Sequence, residues 1–271
     1  MKKLLFFVFT AVFFMACNKN AVTGRKQLGL FKEETLQQMA LTEYKSFLSQ
    51  NPVISETVSK DAEMVQRVGS RIAKAMKDYY TQQGKTNVVK ELEGYKWEFN
   101  LVNNKEVNAW CMPGGKVVVY TGLLPITQNE AALAIVLGHE ITHAVAHHGN
   151  ERMSTAAGMQ SLQIVGDIAT SGNSKYNNLF NNVFAPGAQV AVLLPNSRTQ
   201  EYEADHFGLN FAAMAGYNPR EAIPFWQRMS AAGGNQKPPE FLATHPSDEN
   251  RIAKLQERMN EALNYYKPVT K

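Results

Sequence analysis

The sequence predicts an α+β fold, mostly helical, with a small sheet whose edge strand flanks a buried helix. Three observations predict it. Apolar residues recur at helical spacing over most of the chain, and period-two patterning is confined to residues 96–102 and 116–120. Around Leu133, Ile135, Val136 and Leu137 a helix would keep almost no polar face, which marks it as buried through the middle of a domain. With 271 residues and 44% hydrophobic composition, the chain can bury one substantial core.

The first 16 residues read as a lipoprotein signal peptide: Lys2 and Lys3, an apolar run to Met15, then Ala16 before Cys17. Cys17 is then the lipidation site and residues 17–30 a lipid-anchored tether, leaving 31–271 as a single domain. This expectation places the protein in a periplasm. Asn18 is not the Asp that retains lipoproteins at the inner membrane of some bacteria, which favours the outer membrane. Amphipathic helices are expected at 33–49 and 56–79, with a polar connection at 84–94. Between the two strands lies Asn108-Ala-Trp-Cys-Met-Pro-Gly-Gly115, where Pro113 removes a backbone donor and the glycines permit a tight turn. Such a segment belongs at a sheet edge, either to pair with an extended peptide or as an ordinary hairpin turn.

Thr127 and Glu130 read as a capping box opening a helix of about 21 residues that stops at Gly149. A further helix is expected to about residue 169, then a glycine- and asparagine-rich loop at 172–182, a mobile lid or an insertion. Ser197-Arg-Thr-Gln200 opens another helix ending near Gly216, and helices at about 219–232 and 248–265 complete the domain. The formal charge of +4 falls to about +2 without Lys2 and Lys3, too little for a nucleic-acid partner. Cys111 is then the remaining thiol, expected as a small buried hydrophobe.

The predicted buried helix contains His139-Glu-Ile-Thr-His143. Residues four apart on a helix lie one above the other, so His139 and His143 can offer two imidazoles to one zinc ion per chain, and Glu140 sits where a carboxylate can take a proton from water. A catalytic zinc takes a third protein ligand. Glu201, Asp205, Gly208 and Ala212 share one face of the later helix, which makes Glu201 that ligand and Asp205 the acceptor that orients a ligand histidine. Glu203 points elsewhere and is expected at the surface. His147, one turn beyond His143, is a candidate to support the ligands or a packed structural residue. His148 and His206 are expected at the surface or in helix contacts. His245 can donate to a developing oxyanion or close the open zinc position.

Four ordered segments carry a resemblance: Asn108 to Gly115 with Tyr120-Thr-Gly-Leu-Leu124; His139 to His143 with His147-His148; Ser197-Arg-Thr-Gln-Glu-Tyr-Glu-Ala-Asp205; and Thr244-His-Pro246 with Arg251. Together, over about residues 55–262, they resemble the gluzincin peptidase family that includes the HtpX heat-shock protease, the mitochondrial Oma-type protease and the CAAX prenyl protease. The resemblance implies a zincin-like metallopeptidase fold, zinc on His139, His143 and Glu201, and Glu140 as general base. It also implies protein or peptide substrates in a cleft lined by Asn108, Ala109, Trp110 and Pro113. The leader with Ala21-Val-Thr-Gly-Arg-Lys-Gln-Leu28 is similar to the periplasmic lipoprotein branch. The expectation is a zinc endopeptidase that degrades misfolded or stalled envelope proteins, with His245 or Arg251 stabilising the oxyanion. The alternative is a zinc-dependent assembly chaperone whose latent peptidase activity is blocked when His245 fills the fourth position. Oligomeric state is left open.

Overall fold

Lys116–Tyr120 (β6) is buried at every position, because helices cover both faces of the sheet to which it belongs. Val117 and Val119 point into one apolar cluster, Val118 and Tyr120 into another. Each fully buried valine contributes roughly 1.5 kcal/mol or more. The computed structural model describes residues 17–160, 174–185, 197–233, 239–245 and 250–268. The expected leader at 1–16 lies outside them.

The sheet has the order β3-β4-β6-β5, built from Val53–Ile54 (β3), Glu98–Val102 (β4), Ala109–Met112 (β5) and β6. β4 and β6 are parallel, with Glu98 opposite Lys116; β5 and β6 are antiparallel, with Ala109 opposite Val119. The hairpin joining β5 to β6 turns through Gly114 and Gly115 at φ of 81° and 83°, a conformation that favours glycine. The sequence placed this segment at an edge, and β5 is one.

The first cluster is filled by Lys60–Gln82 (α2), Glu130–Val145 (α5), Ser197–Met214 (α8), Ala222–Gly233 (α9) and Asn250–Tyr265 (α11). The second is filled by Glu33–Gln50 (α1), His148–Gln160 (α6) and Ser174–Phe184 (α7). Thr86–Gly94 (α3), Leu124–Thr127 (α4) and Glu240–Thr244 (α10) are shorter. Among the described residues no helix is long and apolar enough to cross a membrane.

Several boundaries differ from the sequence expectation. The polar connection at 84–94 is largely the helix α3, because Val88 and Leu92, four apart, both bury. The loop at 172–182 is mostly the helix α7, whose Tyr176, Leu179, Phe180 and Val183 form an apolar stripe hidden by the surrounding asparagines. Thr127 does not cap α5. It ends α4, and Asn129 caps instead, its Oδ1 accepting from Ala132 N at 2.9 Å. The same helix stops at Val145, not near Gly149, because His147 takes φ 54° and α6 starts at His148. Residues 17–30 do not run as a free tether: Cys17–Lys19 (β1) and Lys26–Leu28 (β2) form a hairpin whose turn and second strand dock on α5 and α6.

α5 and α8 cross with their backbones in contact. A Cβ on Gly138 would lie 2.4 Å from Gly208 O, and one on Gly208 would lie 2.6 Å from the carbonyl carbon of Gly138. Both distances are impossible for real atoms, so the crossing requires glycine on both helices. Replacing Gly208 with Ala should push the helices apart, costing about 1–3 kcal/mol and visibly lowering the thermal midpoint; an unchanged midpoint would show that the crossing tolerates a methyl group.

Candidate metal centre

The spacing of two helices and one loop brings four donors together. His139 and His143 project from α5, Glu201 from α8, and His245 from the residue that follows α10. One ligand atom from each lies within 4.8 Å of all the others. His139 Nε2 is 3.1 Å from His143 Nε2 and 3.2 Å from His245 Nδ1. Glu201 Oε2 is 3.3 Å from His139 Nε2 and 3.1 Å from His245 Nδ1, and Glu201 Oε1 is 3.4 Å from His143 Nε2. A tetrahedral zinc with ligands at about 2.0–2.1 Å sets its donors about 3.3–3.4 Å apart. Three imidazoles and one carboxylate at that separation fit a zinc ion in number, chemistry and geometry. Burial pushes the Glu201 carboxyl up, but His245, His143 and His139 together hold it well below the usual carboxylate range, so it is an anion facing the ring nitrogens.

His139 is oriented from behind. Its Nδ1 lies 3.0 Å from Asp205 Oδ1, and an ionised carboxylate only accepts, so the proton sits on Nδ1 and the lone pair on Nε2 faces the other donors. Arg251 holds Asp205 with Nε to Oδ2 at 2.6 Å and Nη2 to Oδ1 at 2.8 Å, and its guanidinium stacks 3.7 Å above the Trp226 ring. It also donates to His245 O at 3.3 Å, tying the loop to the same anchor. Burial disfavours the charged form of Asp205, yet Arg251 and His139 leave its carboxyl below the usual range. Arg251 was expected to stabilise an oxyanion. It is spent on Asp205 and does not line the cleft.

The cleft beside these donors is narrow, about 80 Å³. Glu140 lies in it almost fully buried, its Oε1 without a hydrogen-bond partner and 3.4 Å from His245 Nε2. Burial pushes the Glu140 carboxyl up to about 7, with His245 opposing the shift. Asn108, Ala109 and Trp110 line the cleft, while Pro113 sits in the hairpin turn and does not. Cys111, partly buried, packs against the first apolar cluster and lines the same wall. Facing them are Val183, Phe184 and Ala185 at the end of α7.

Four residues were missed or misplaced by sequence reasoning. His147 does not support the ligands: the break after Val145 turns it away, and it pairs with Glu91. His148, expected at the surface or in a helix contact, is fully buried with its Nδ1 2.8 Å from His143 Nδ1. Glu203, also expected at the surface, receives His148 Nε2 at 3.0 Å and has a side chain only 14% exposed. Arg152 lines the cleft, donates to Gln200 Oε1 at 3.2 Å, and buries an Nε that has no partner among the described residues. The adjacent histidines were a visible signal for His148, but no glycine or proline marks the break that selects it.

Comparison with known proteins places these features. The family model described as Peptidase family M48 matches residues 59–259. The mitochondrial metalloendopeptidase OMA1 of Arabidopsis thaliana is 38% identical over 180 residues, covering 66% of this chain and 35% of that protein. Its Homo sapiens counterpart is 30% identical over 272 residues, 96% of this chain and 48% of that protein. The beta-barrel assembly-enhancing protease of Escherichia coli is 29% identical over 177 residues, 61% of this chain and 35% of that protein. The chain thus spans between about a third and a half of these relatives. These findings overturn the expected location: mitochondrial relatives match up to 96% of this chain and the bacterial protease 61%, and none of the matches supports a periplasmic lipoprotein anchored at Cys17 in an outer membrane. With the ordered motifs, the converging donors of a zinc site and a match over most of its length, the chain belongs to peptidase family M48.

Proposed function

We propose that this chain is a zinc-dependent endopeptidase that cuts misfolded or stalled proteins. The observation that carries the reading is the buried Glu140 carboxyl beside four converging donors, one of its oxygens without a hydrogen-bond partner among the described residues. A structural zinc site would have no use for it. In this reading His139, His143 and Glu201 hold the ion, which supplies a Lewis acid for the scissile carbonyl and the attacking water. Glu140 takes a proton from that water and passes it to the leaving amine, a task suited to a carboxyl whose affinity for protons lies near neutrality. Asp205 keeps the proton on His139 Nδ1 throughout. An extended substrate adds to β5, the edge strand of the sheet, its side chains alternating toward and away from the cleft. To Arg152 we assign the negative charge that builds on the carbonyl oxygen, since its guanidinium lines the cleft and Arg251 is occupied elsewhere.

A second reading is favoured by His245. With His245 as a fourth ligand the open position is gone. The same molecule would then serve as an assembly chaperone with latent peptidase activity.

Replacing Glu140 with Gln should preserve one zinc per chain, measured by elemental analysis, and reduce hydrolysis of unfolded casein about 10²–10⁴-fold. Undiminished hydrolysis would refute the base assignment. Complementation of a deletion strain by this variant would favour the chaperone. Arg152→Gln should lower kcat about 10²–10³-fold with KM nearly unchanged. A raised KM at constant kcat would make Arg152 a substrate-binding group instead.

A further inference from the structure

The N-terminal hairpin touches the site through a route that the reaction does not require. Arg25, in the turn leading into β2, places Nη1 and Nη2 each 2.6 Å from the two oxygens of Glu151, and Nε and Nη2 at 2.7 and 3.1 Å from those of Glu203. Glu203 in turn receives His148 Nε2 at 3.0 Å, and His148 Nδ1 meets His143 Nδ1 at 2.8 Å. With both rings neutral, one arrangement of protons satisfies the whole chain of contacts. A carboxylate only accepts, so His148 carries its proton on Nε2; its Nδ1 is then an acceptor, and His143 must donate from Nδ1. That leaves the His143 lone pair on Nε2, facing Glu201 and His139. On either side of Arg25 the hairpin is pinned to the end of α5, where Ala146 O accepts from Asn20 Nδ2 and from Gln27 Nε2, both at 3.0 Å.

We propose that Arg25 is a positioning residue for the metal centre, acting through Glu203 and His148 to hold His143 in its ligating tautomer and orientation. His139 has its own anchor in Asp205 and Arg251; this hairpin supplies the equivalent for the second histidine. Among the described residues nothing else hydrogen-bonds the Glu203 side chain, so it needs the arginine. Arg25 and His148 are its hydrogen-bond partners, and a guanidinium that bridges two carboxylates fixes the angle at which Glu203 meets the ring. The first residues of the described chain are therefore part of the active-site framework, although Arg25 lies 126 residues before Glu151 and 178 before Glu203. This inference rests on the reading of the four donors as a zinc site.

The test uses the full chain and follows zinc release to a chelating dye, together with the visible spectrum of the cobalt-loaded protein. Arg25→Gln and, independently, Glu203→Gln should each release zinc on the order of ten times faster than wild type and change the cobalt spectrum. Arg25→Lys, which keeps the charge but cannot bridge both carboxylates, should restore part of the loss. Gln27→Ala loosens the hairpin without touching the relay and should lower the thermal midpoint while leaving zinc release unchanged. A zinc-loaded wild type whose Arg25→Gln and Glu203→Gln variants release metal at the wild-type rate overturns this proposal alone. If Gln27→Ala accelerates release as much as Arg25→Gln, hairpin docking and not Arg25 is responsible, which also overturns it. A wild type that binds no zinc removes the metal centre and the proposal together.

Discussion

The contact between Gly138 and Gly208 sets the distance on which the site depends. Side chains at a helix crossing normally hold axes about 8–10 Å apart. With no side chain on either helix here, α8 lies close enough that Glu201 reaches both histidines of α5 and Asp205 reaches behind His139. The fully buried α5 follows from the same geometry. It must be covered on all sides by α2, α8, α9 and the sheet, which explains a helix with almost no polar face except the residues that do chemistry.

Burying so much charge has an electrostatic cost that the fold meets in pairs. Asp205 has Arg251, Glu203 has Arg25 and His148, and Glu201 has three imidazoles. Each pairing leaves the anion hydrogen-bonded, the condition under which burial of a carboxylate is tolerated. Glu140 is the exception, with one oxygen buried and unpartnered and its carboxyl raised accordingly. Departures of this kind concentrate where a group must change protonation state during work. A divalent cation among the donors completes the compensation for Glu201 and the histidines.

What was legible in the sequence was local. The i,i+4 spacing of His139 with His143, and of Glu201 with Asp205, declared shared helix faces, and the small residues Gly208 and Ala212 beneath the carboxylates announced a close crossing. Period-two patterning located β4 and β6, and the Pro-Gly-Gly turn located the edge. Three kinds of feature were hidden. The break after Val145 carries no glycine or proline, so the exchange of His147 for His148 depends on a strained backbone that only packing sustains. The helices α3 and α7 are short, and their apolar stripes are diluted by polar neighbours. The contacts of Arg25, Arg152 and Arg251 connect distant segments, and no local pattern distinguishes an arginine that braces a carboxylate from one that meets solvent. The leader-like segment was the clearest compositional signal, yet it led to a location that the relatives do not support.

The account stands on one ion held by side chains of α5 and α8. Anomalous diffraction recorded on either side of the zinc absorption edge, from crystals of the protein as purified, tests that most directly. The expected result is a single peak per chain about 2.0–2.2 Å from His139 Nε2, His143 Nε2 and a Glu201 oxygen. A map without a peak there, or with zinc at His206 and Glu261 or at Cys111 instead, would contradict it.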